Sequence, residues 1–187
     1  MIFRFQPFST TKNLGEHYNA HCALVPNETD WIQIMDYDAL ILSTKTYQVI
    51  ENAITNPDNA HIKLFGAMTN RIGRSIQCLG HEPDTNDSIR HHIAIAETLA
   101  TQYPNGETVP SLMAAGFFIL FQKSYWMANP FQEKIISPNG MLFDHAFSKQ
   151  AKQQNAIGII KGSYLWHTYR LTHADRFSKA HLGINEM

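Results

Sequence analysis

The segment Trp31-Ile32-Gln33-Ile34-Met35-Asp36-Tyr37-Asp38-Ala39-Leu40-Ile41-Leu42 decides how the rest of the chain is read. Trp31 to Met35 is rich in β-formers and long enough for a buried strand. It runs into two carboxylates one residue apart, and a second apolar segment follows at once. A strand leaving a sheet at Asp-x-Asp sets acidic oxygens at its carboxyl end, where open α/β sheets bind ligands. Neighbouring carboxylates repel, so such a pair is stable chiefly with a cation beside it. Oxygen ligands suit Mg²⁺ or Mn²⁺, which bridge to substrate phosphates. The same tripeptide also fits a solvated turn, where Asp is favoured, so the surrounding chain has to decide.

The 187 residues fit one domain with a substantial core. A net charge of −1 gives no overall attraction to nucleic acid or acidic membranes, and no nucleic-acid partner is expected. Cys22 and Cys78 are isolated, which argues against both a zinc knuckle and a disulfide framework. Reduced thiols in a cytoplasmic protein are the expectation. Met1 to Phe8 is short and interrupted by Arg4 and Gln6, unlike a signal peptide. The most apolar run, Leu112 to Phe121, is too short to span a bilayer and reads as a buried strand. No transmembrane segment is expected.

Outward from the Asp-x-Asp strand, Ile2 to Phe5 forms a first strand that Pro7 ends. Ser9, Thr10 and Thr11 are available to cap a helix over 13–24 with Leu14, Tyr18, Cys22 and Val25 on its apolar stripe. Ser43 or Thr44 caps a second helix to about Thr55, with Tyr47, Ile50 and Ile54 inward and Asn56-Pro57 as its stop. Ile62 to Met68 is a further strand, ending in Thr69-Asn70-Arg71-Ile72-Gly73-Arg74. Arg71 and Arg74 in that turn suit bidentate phosphate binding, or are surface arginines. A long helix is expected over 85–103, with Ile89, Ile93, Ala96 and Leu99 or Ala100 on one face. His91 and His92 within it leave a helix in different directions and make a poor chelating pair.

The strand around Gly116 to Phe121 leads into a short helix at Lys123-Ser124-Tyr125-Trp126. After the Asn139-Gly140 turn, Leu142, Phe143, Ala146, Phe147 and Ala151 mark a helix with Asp144 in its first turn. A carboxylate there also suits the helix dipole, so a purely structural role is open. Ile157 to Ile160 returns as a strand, and Gly162 to Arg170 closes the pattern. A core of about 1–170 is followed by a polar tail, 171–187, without repeats or a linker.

These blocks, in this order, resemble the nucleotide-diphospho-sugar glycosyltransferases of the GT-A fold, most nearly small family 2 members of bacteria and phages. Lys12-Asn13-Leu14-Gly15 with Tyr18-Asn19 looks like the opening helix, and Asp30-Trp31 to Asp38 like the Asp-x-Asp strand. Thr69 to Gly73 is similar to a turn of the subgroup. Gly116-Phe117-Phe118 with Phe121, Lys123 and Trp126 resembles the acceptor side. Phe143-Asp144-His145-Ala146-Phe147-Ser148 resembles the catalytic-base segment, and Gly162, Tyr164, Trp166, His167, Tyr169 and Arg170 the closing strand.

The resemblance implies a single α/β domain of GT-A type, with a mixed central sheet flanked by helices. It implies an inverting transferase using Mn²⁺ or Mg²⁺, a nucleotide-diphospho-sugar donor and a glycan or other hydroxyl acceptor. Asp38 and His167 would ligate the cation, with Asp36 assisting at the metal and the donor. Asp144 would be the general base. Lys12, Arg71 and Arg170 would contact donor phosphates, and Trp126 and Trp166 would stack on sugar or base, or pack in the core.

Two features depart from the family pattern. The chain passes from its first helix straight to the Asp-x-Asp strand, so the N-terminal nucleotide-binding part is shortened by a strand and helix. Phe143 stands before Asp144, where many members have an acidic residue or a Gly-Val pair. The shortening leaves a second reading open, a GT-A-like module that binds sugar nucleotides or glycans without turnover. Phosphatases of the haloacid dehalogenase type also carry Asp-x-Asp after a strand. They have a hydroxyl residue two positions after the second Asp, where this chain has Leu40.

Overall fold

The computed structural model describes residues 1–8, 13–72, 75–133 and 143–168. Among them the chain is α/β, with five α-helices and a seven-stranded mixed sheet. In order the elements are β1 (Ile2–Phe5), α1 (Leu14–Ala23), β2 (Trp31–Met35), β3 (Ala39–Ile41), α2 (Thr44–Thr55) and β4 (Leu64–Thr69). Then follow α3 (Ile89–Gln102), β5 (Thr108–Pro110), β6 (Phe118–Gln122), α4 (Lys123–Ala128), α5 (Phe143–Gln153) and β7 (Ile157–His167). None of the helices is long and apolar enough to cross a membrane.

The chain divides into two compact units. The first comprises Met1–Tyr37, His61–Gly66 and Pro110–Gly158. In it β1 and β2 run parallel with α1 as the crossover, Ile2 opposite Trp31. β6 lies antiparallel on the other side of β2, pairing Ile34 with Ile119, and pairs in turn with the start of β4. Ile32, Gln33 and Ile34 are buried, as a central strand requires. Asn13 caps α1, its side chain accepting the Glu16 N–H. The caps expected at Ser9, Thr10 and Thr11 lie outside the described residues. Tyr18, Cys22 and Val25 join Ile32, Ile34, Ile119, Phe121 and Phe147 in one apolar core. Each large side chain so buried contributes about 1.5–3 kcal/mol.

The expected strand from Leu112 is shorter than the apolar run. Leu112 is 68% exposed, and the Ser111 hydroxyl bonds the Met113 backbone, turning the chain before β6 begins.

The second unit comprises Asp38–Ala60, Ala67–Val109 and the described chain from Ile159. Here β3 pairs antiparallel with the end of β7, Ala39 opposite His167. Ser43 caps α2 and Asn56 ends it, as expected. Its buried face is Thr46, Val49, Ile50 and Ala53, whereas Tyr47 is 40% exposed. The inward stripe is thus rotated from the one built on Tyr47 and Ile54.

α3 starts at Ile89, later than expected, because the side chains of Asp84 and Asn86 take the N–H groups of Asn86 and Ser88. Such local bonds hold the chain in turns that compete with helix. The buried face is also rotated: His92, Ala96, Leu99 and Ala100 are buried, and Ile89 is 44% exposed. β7 runs from Ile157 to His167, joining the expected strand at Ile157 to Ile160 with the closing segment in one element. Gly162 marks close packing, since a Cβ would lie 2.5 Å from the Tyr103 carbonyl oxygen and 2.9 Å from Val49 Cγ1.

Candidate functional site

In the first unit, β2 delivers Asp36 to its carboxyl end. The Asp36 N–H bonds the Phe117 carbonyl at 2.9 Å, fixing where the strand stops. The Tyr18 hydroxyl reaches from α1 to Asp36 Oδ1 at 3.4 Å. Burial first, and then the charges of Asp36 and Asp144, push the Tyr18 phenol far above its ordinary range. Tyr18 is therefore a neutral donor to Asp36. Its place on the apolar stripe of α1 had marked it only as a core residue, and no spacing in the sequence distinguished the hydroxyl from the ring.

Asp144 sits in the first turn of α5 and is 7% exposed. Its Oδ2 accepts the Gly116 N–H at 3.0 Å and its Oδ1 accepts the His145 N–H at 2.9 Å. The carboxylate is thereby fixed in orientation, and each oxygen keeps further acceptor capacity.

In the second unit, the register of β3 on β7 brings Asp38 and His167 together. Asp38 Oδ1 lies 3.3 Å from His167 Nε2, while Asp38 Oδ2 accepts the Thr168 hydroxyl at 3.3 Å. Burial alone would raise the Asp38 carboxyl. The hydrogen bond and charge of His167, and then the Thr168 hydroxyl, outweigh burial and hold it below the usual carboxylate range. The His167 ring is 3.3 Å from the Arg71 carbonyl oxygen through Nδ1. A carbonyl only accepts, so Nδ1 carries the proton in that contact. In neutral imidazole this leaves Nε2 a lone pair facing a carboxylate, two acceptors that need a proton or a cation between them. A ring N–H donated to a backbone carbonyl is also the arrangement that orients metal-binding histidines. The imidazole and carboxylate donors thus fit a divalent ion such as Mn²⁺.

Asn70, at the end of β4, holds this pair from behind. Its Oδ1 accepts the His167 backbone N–H at 2.7 Å, and the residue is 1% exposed. The turn Thr69-Asn70-Arg71 stood out in the sequence for its guanidinium, whereas the amide does the positioning. Arg71 is 1% exposed and its Nη2 bonds Asp87 at 2.8 Å. It is a buried, paired cation at the base of the turn.

The structure thus joins Asp38 to His167 in the second unit, and sets Asp36 and Asp144 around Tyr18 in the first. Asp36 stands two residues before Asp38 in the chain. Lys12, Arg74 and Arg170 lie outside the described residues. Trp166 is 8% exposed, and Trp126 is half-buried with its Nε1 bonded to Asn19 at 2.9 Å. Both therefore have packing roles. No protein-family model matches the sequence, and no curated protein matches it.

Proposed function

We propose that this protein is a metal-dependent inverting glycosyltransferase of GT-A type, moving a sugar from a nucleotide-diphosphate donor to a hydroxyl acceptor. The observation that carries the reading is the meeting of Asp38 and His167, an imidazole and a carboxylate set at strand ends immediately after an Asp-x-Asp strand. Asp38 and His167 would hold Mn²⁺ or Mg²⁺, with Asp36, two residues earlier in the sequence, assisting. A cation held there would supply positive charge to offset the negative charge that develops on the leaving diphosphate.

Asp144 is the general base of this reading. The acceptor hydroxyl gives its proton to an Asp144 oxygen as its oxygen forms the new bond to the anomeric carbon. The bond from that carbon to the diphosphate oxygen breaks, and its electron pair leaves with the nucleotide diphosphate. A single displacement of this kind inverts the anomeric centre. Asp144 is suited to it because two backbone N–H groups fix the carboxylate without consuming its acceptor capacity. Lys12 and Arg170 remain the proposed phosphate contacts, whereas Arg71 is buried and committed to Asp87.

The test is turnover in Asp144→Asn. Transfer or donor hydrolysis falls by at least about 10²-fold, in keeping with the loss of a general base, while metal-dependent donor binding persists. Turnover equal to that of the unaltered chain removes Asp144 from the mechanism. A chain that binds the donor but never turns it over is instead the binding module that its shortened N-terminal part suggests.

A further inference from the structure

The second unit contains another convergence of metal-binding side chains, built on residues outside the Asp-x-Asp pair. Asp84, from the loop before α3, and His91 and His92, from its first turns, each offer a ligand atom, and these lie within 4.8 Å of one another. Neighbouring histidines on a helix were expected to diverge. Their rings instead approach edge to face, with centroids 5.0 Å apart, because each has a polar partner that draws it towards the loop. His91 Nε2 lies 2.6 Å from Asp84 Oδ2. His92 Nε2 lies 2.5 Å from the Asn86 carbonyl oxygen, and its Nδ1 lies 2.9 Å from the Tyr164 hydroxyl.

The hydrogen bonds of His92 define its tautomer. The Asn86 carbonyl can only accept, so Nε2 carries the proton, and in the neutral ring Nδ1 presents a lone pair to the Tyr164 hydroxyl. Histidine ligands are characteristically fixed by such a bond from their second nitrogen to a backbone carbonyl. Asp84 is fixed as well, its Oδ1 accepting the Asn86 N–H at 2.8 Å. Two imidazoles and one carboxylate, with His92 and Asp84 already oriented by the backbone and His91 by Asp84, form a donor set of borderline softness. It favours zinc-class ions over Mg²⁺.

The geometry points to a zinc-class cation site formed by the Asp84 carboxylate and the imidazoles of His91 and His92, made of other residues than the metal ligands proposed for the donor site. Binding replaces the His91–Asp84 contact with two metal bonds and releases His92 Nδ1 from the Tyr164 hydroxyl. The cation then ties the loop before α3 to the helix itself. A cation at a helix start opposes the helix dipole, and the Asp84 carboxylate supplies the compensating charge.

The test is zinc titration of the full chain after chelator stripping, with excess Mg²⁺ present to occupy hard-ion sites. Asp38→Asn, which weakens the Asp38–His167 site, still takes up about one equivalent of zinc. Asp84→Asn and His91→Gln bind it more weakly by at least about tenfold. Zinc uptake by His91→Gln equal to that of the unaltered chain overturns the proposal, as does a failure of Asp38→Asn to bind zinc. A second measurement needs no substitution. The His91 side chain is 40% exposed, so it is open to acylation by diethyl pyrocarbonate, and zinc protects it. Modification of His91 at the same rate with and without zinc also overturns the site. Neither result depends on whether the chain binds a nucleotide sugar.

Discussion

The side-chain oxygen of Asn70 accepts the backbone N–H of His167 at 2.7 Å, joining the end of β4 to the end of β7 where His167 faces Asp38. The same oxygen accepts the Thr69 hydroxyl at 3.2 Å. Asn70→Ala removes both bonds and leaves the His167 N–H buried without that partner. The expected cost is about 1–3 kcal/mol of folding stability, together with weaker Mn²⁺ binding. Urea unfolding with and without Mn²⁺ measures both. Unchanged stability and unchanged metal affinity would contradict the positioning role.

Asp38 gives the acid limb of the stability profile a specific owner. Its carboxyl lies below the usual range in the folded chain, despite burial, because His167 and Thr168 favour the ionised form. In the unfolded chain it titrates near an ordinary Asp, about 3.9. The stabilisation is therefore complete above about pH 4 and is lost as pH falls through the lower folded value. Asp38→Asn removes this contribution, so the variant loses less stability than the unaltered chain between pH 7 and pH 3. Urea midpoints across that interval decide it, and equal losses in the two proteins would refute the assignment.

Phe147 anchors the core of the first unit. It stacks on Phe131 with centroids 4.0 Å apart, meets Phe121 at 4.8 Å and Tyr125 at 5.2 Å, and is 3% exposed. Phe147→Ala opens a cavity among aromatic rings that cannot close around it, costing about 3–5 kcal/mol. Because α5 also carries Asp144, the same change disorders the proposed base. Phe147→Leu keeps most of the volume and should retain both stability and Asp144-dependent turnover to a greater degree, as denaturation and activity assays can show.

Much of the architecture was legible because periodicity and capping agree with tertiary packing. The Asp-x-Asp strand, the Ser43 cap, the Asn56 stop, the stripe of Tyr18, Cys22 and Val25, and Asp144 in the first turn of α5 all lie where the sequence places them. The misplaced start of α3 reflects local bonds of Asp84 and Asn86, and its rotated face a partner far along the chain. His92 occupies the buried face of α3 because Tyr164 and Asn86 satisfy both its nitrogens, and no local pattern announces such partners. Gly162 opens the expected closing strand, and the close approach of Tyr103 and Val49 that requires a glycine there is a long-range contact.

The candidate site was legible as a set of residue types and not as a geometry. Asp36, Asp38, Asp144 and His167 stood out as acids and an imidazole at element ends. The antiparallel register of β3 on β7, which makes Asp38 and His167 neighbours, is a long-range pairing that sequence spacing does not encode. The positioning roles of Asn70 and Tyr18 escaped notice for the converse reason. An amide in a polar turn and a phenol on an apolar stripe are ordinary until their buried partners are known.

The most direct test of the central claim is calorimetric titration of the protein with a panel of nucleotide sugars, each with Mn²⁺ and again with chelator, in the unaltered chain and in Asp38→Ala. At least one donor is expected to bind only when Mn²⁺ is present, with Asp38→Ala abolishing the metal dependence. Donor binding that is indifferent to chelator and to Asp38, or no binding of any nucleotide sugar, would contradict the claim.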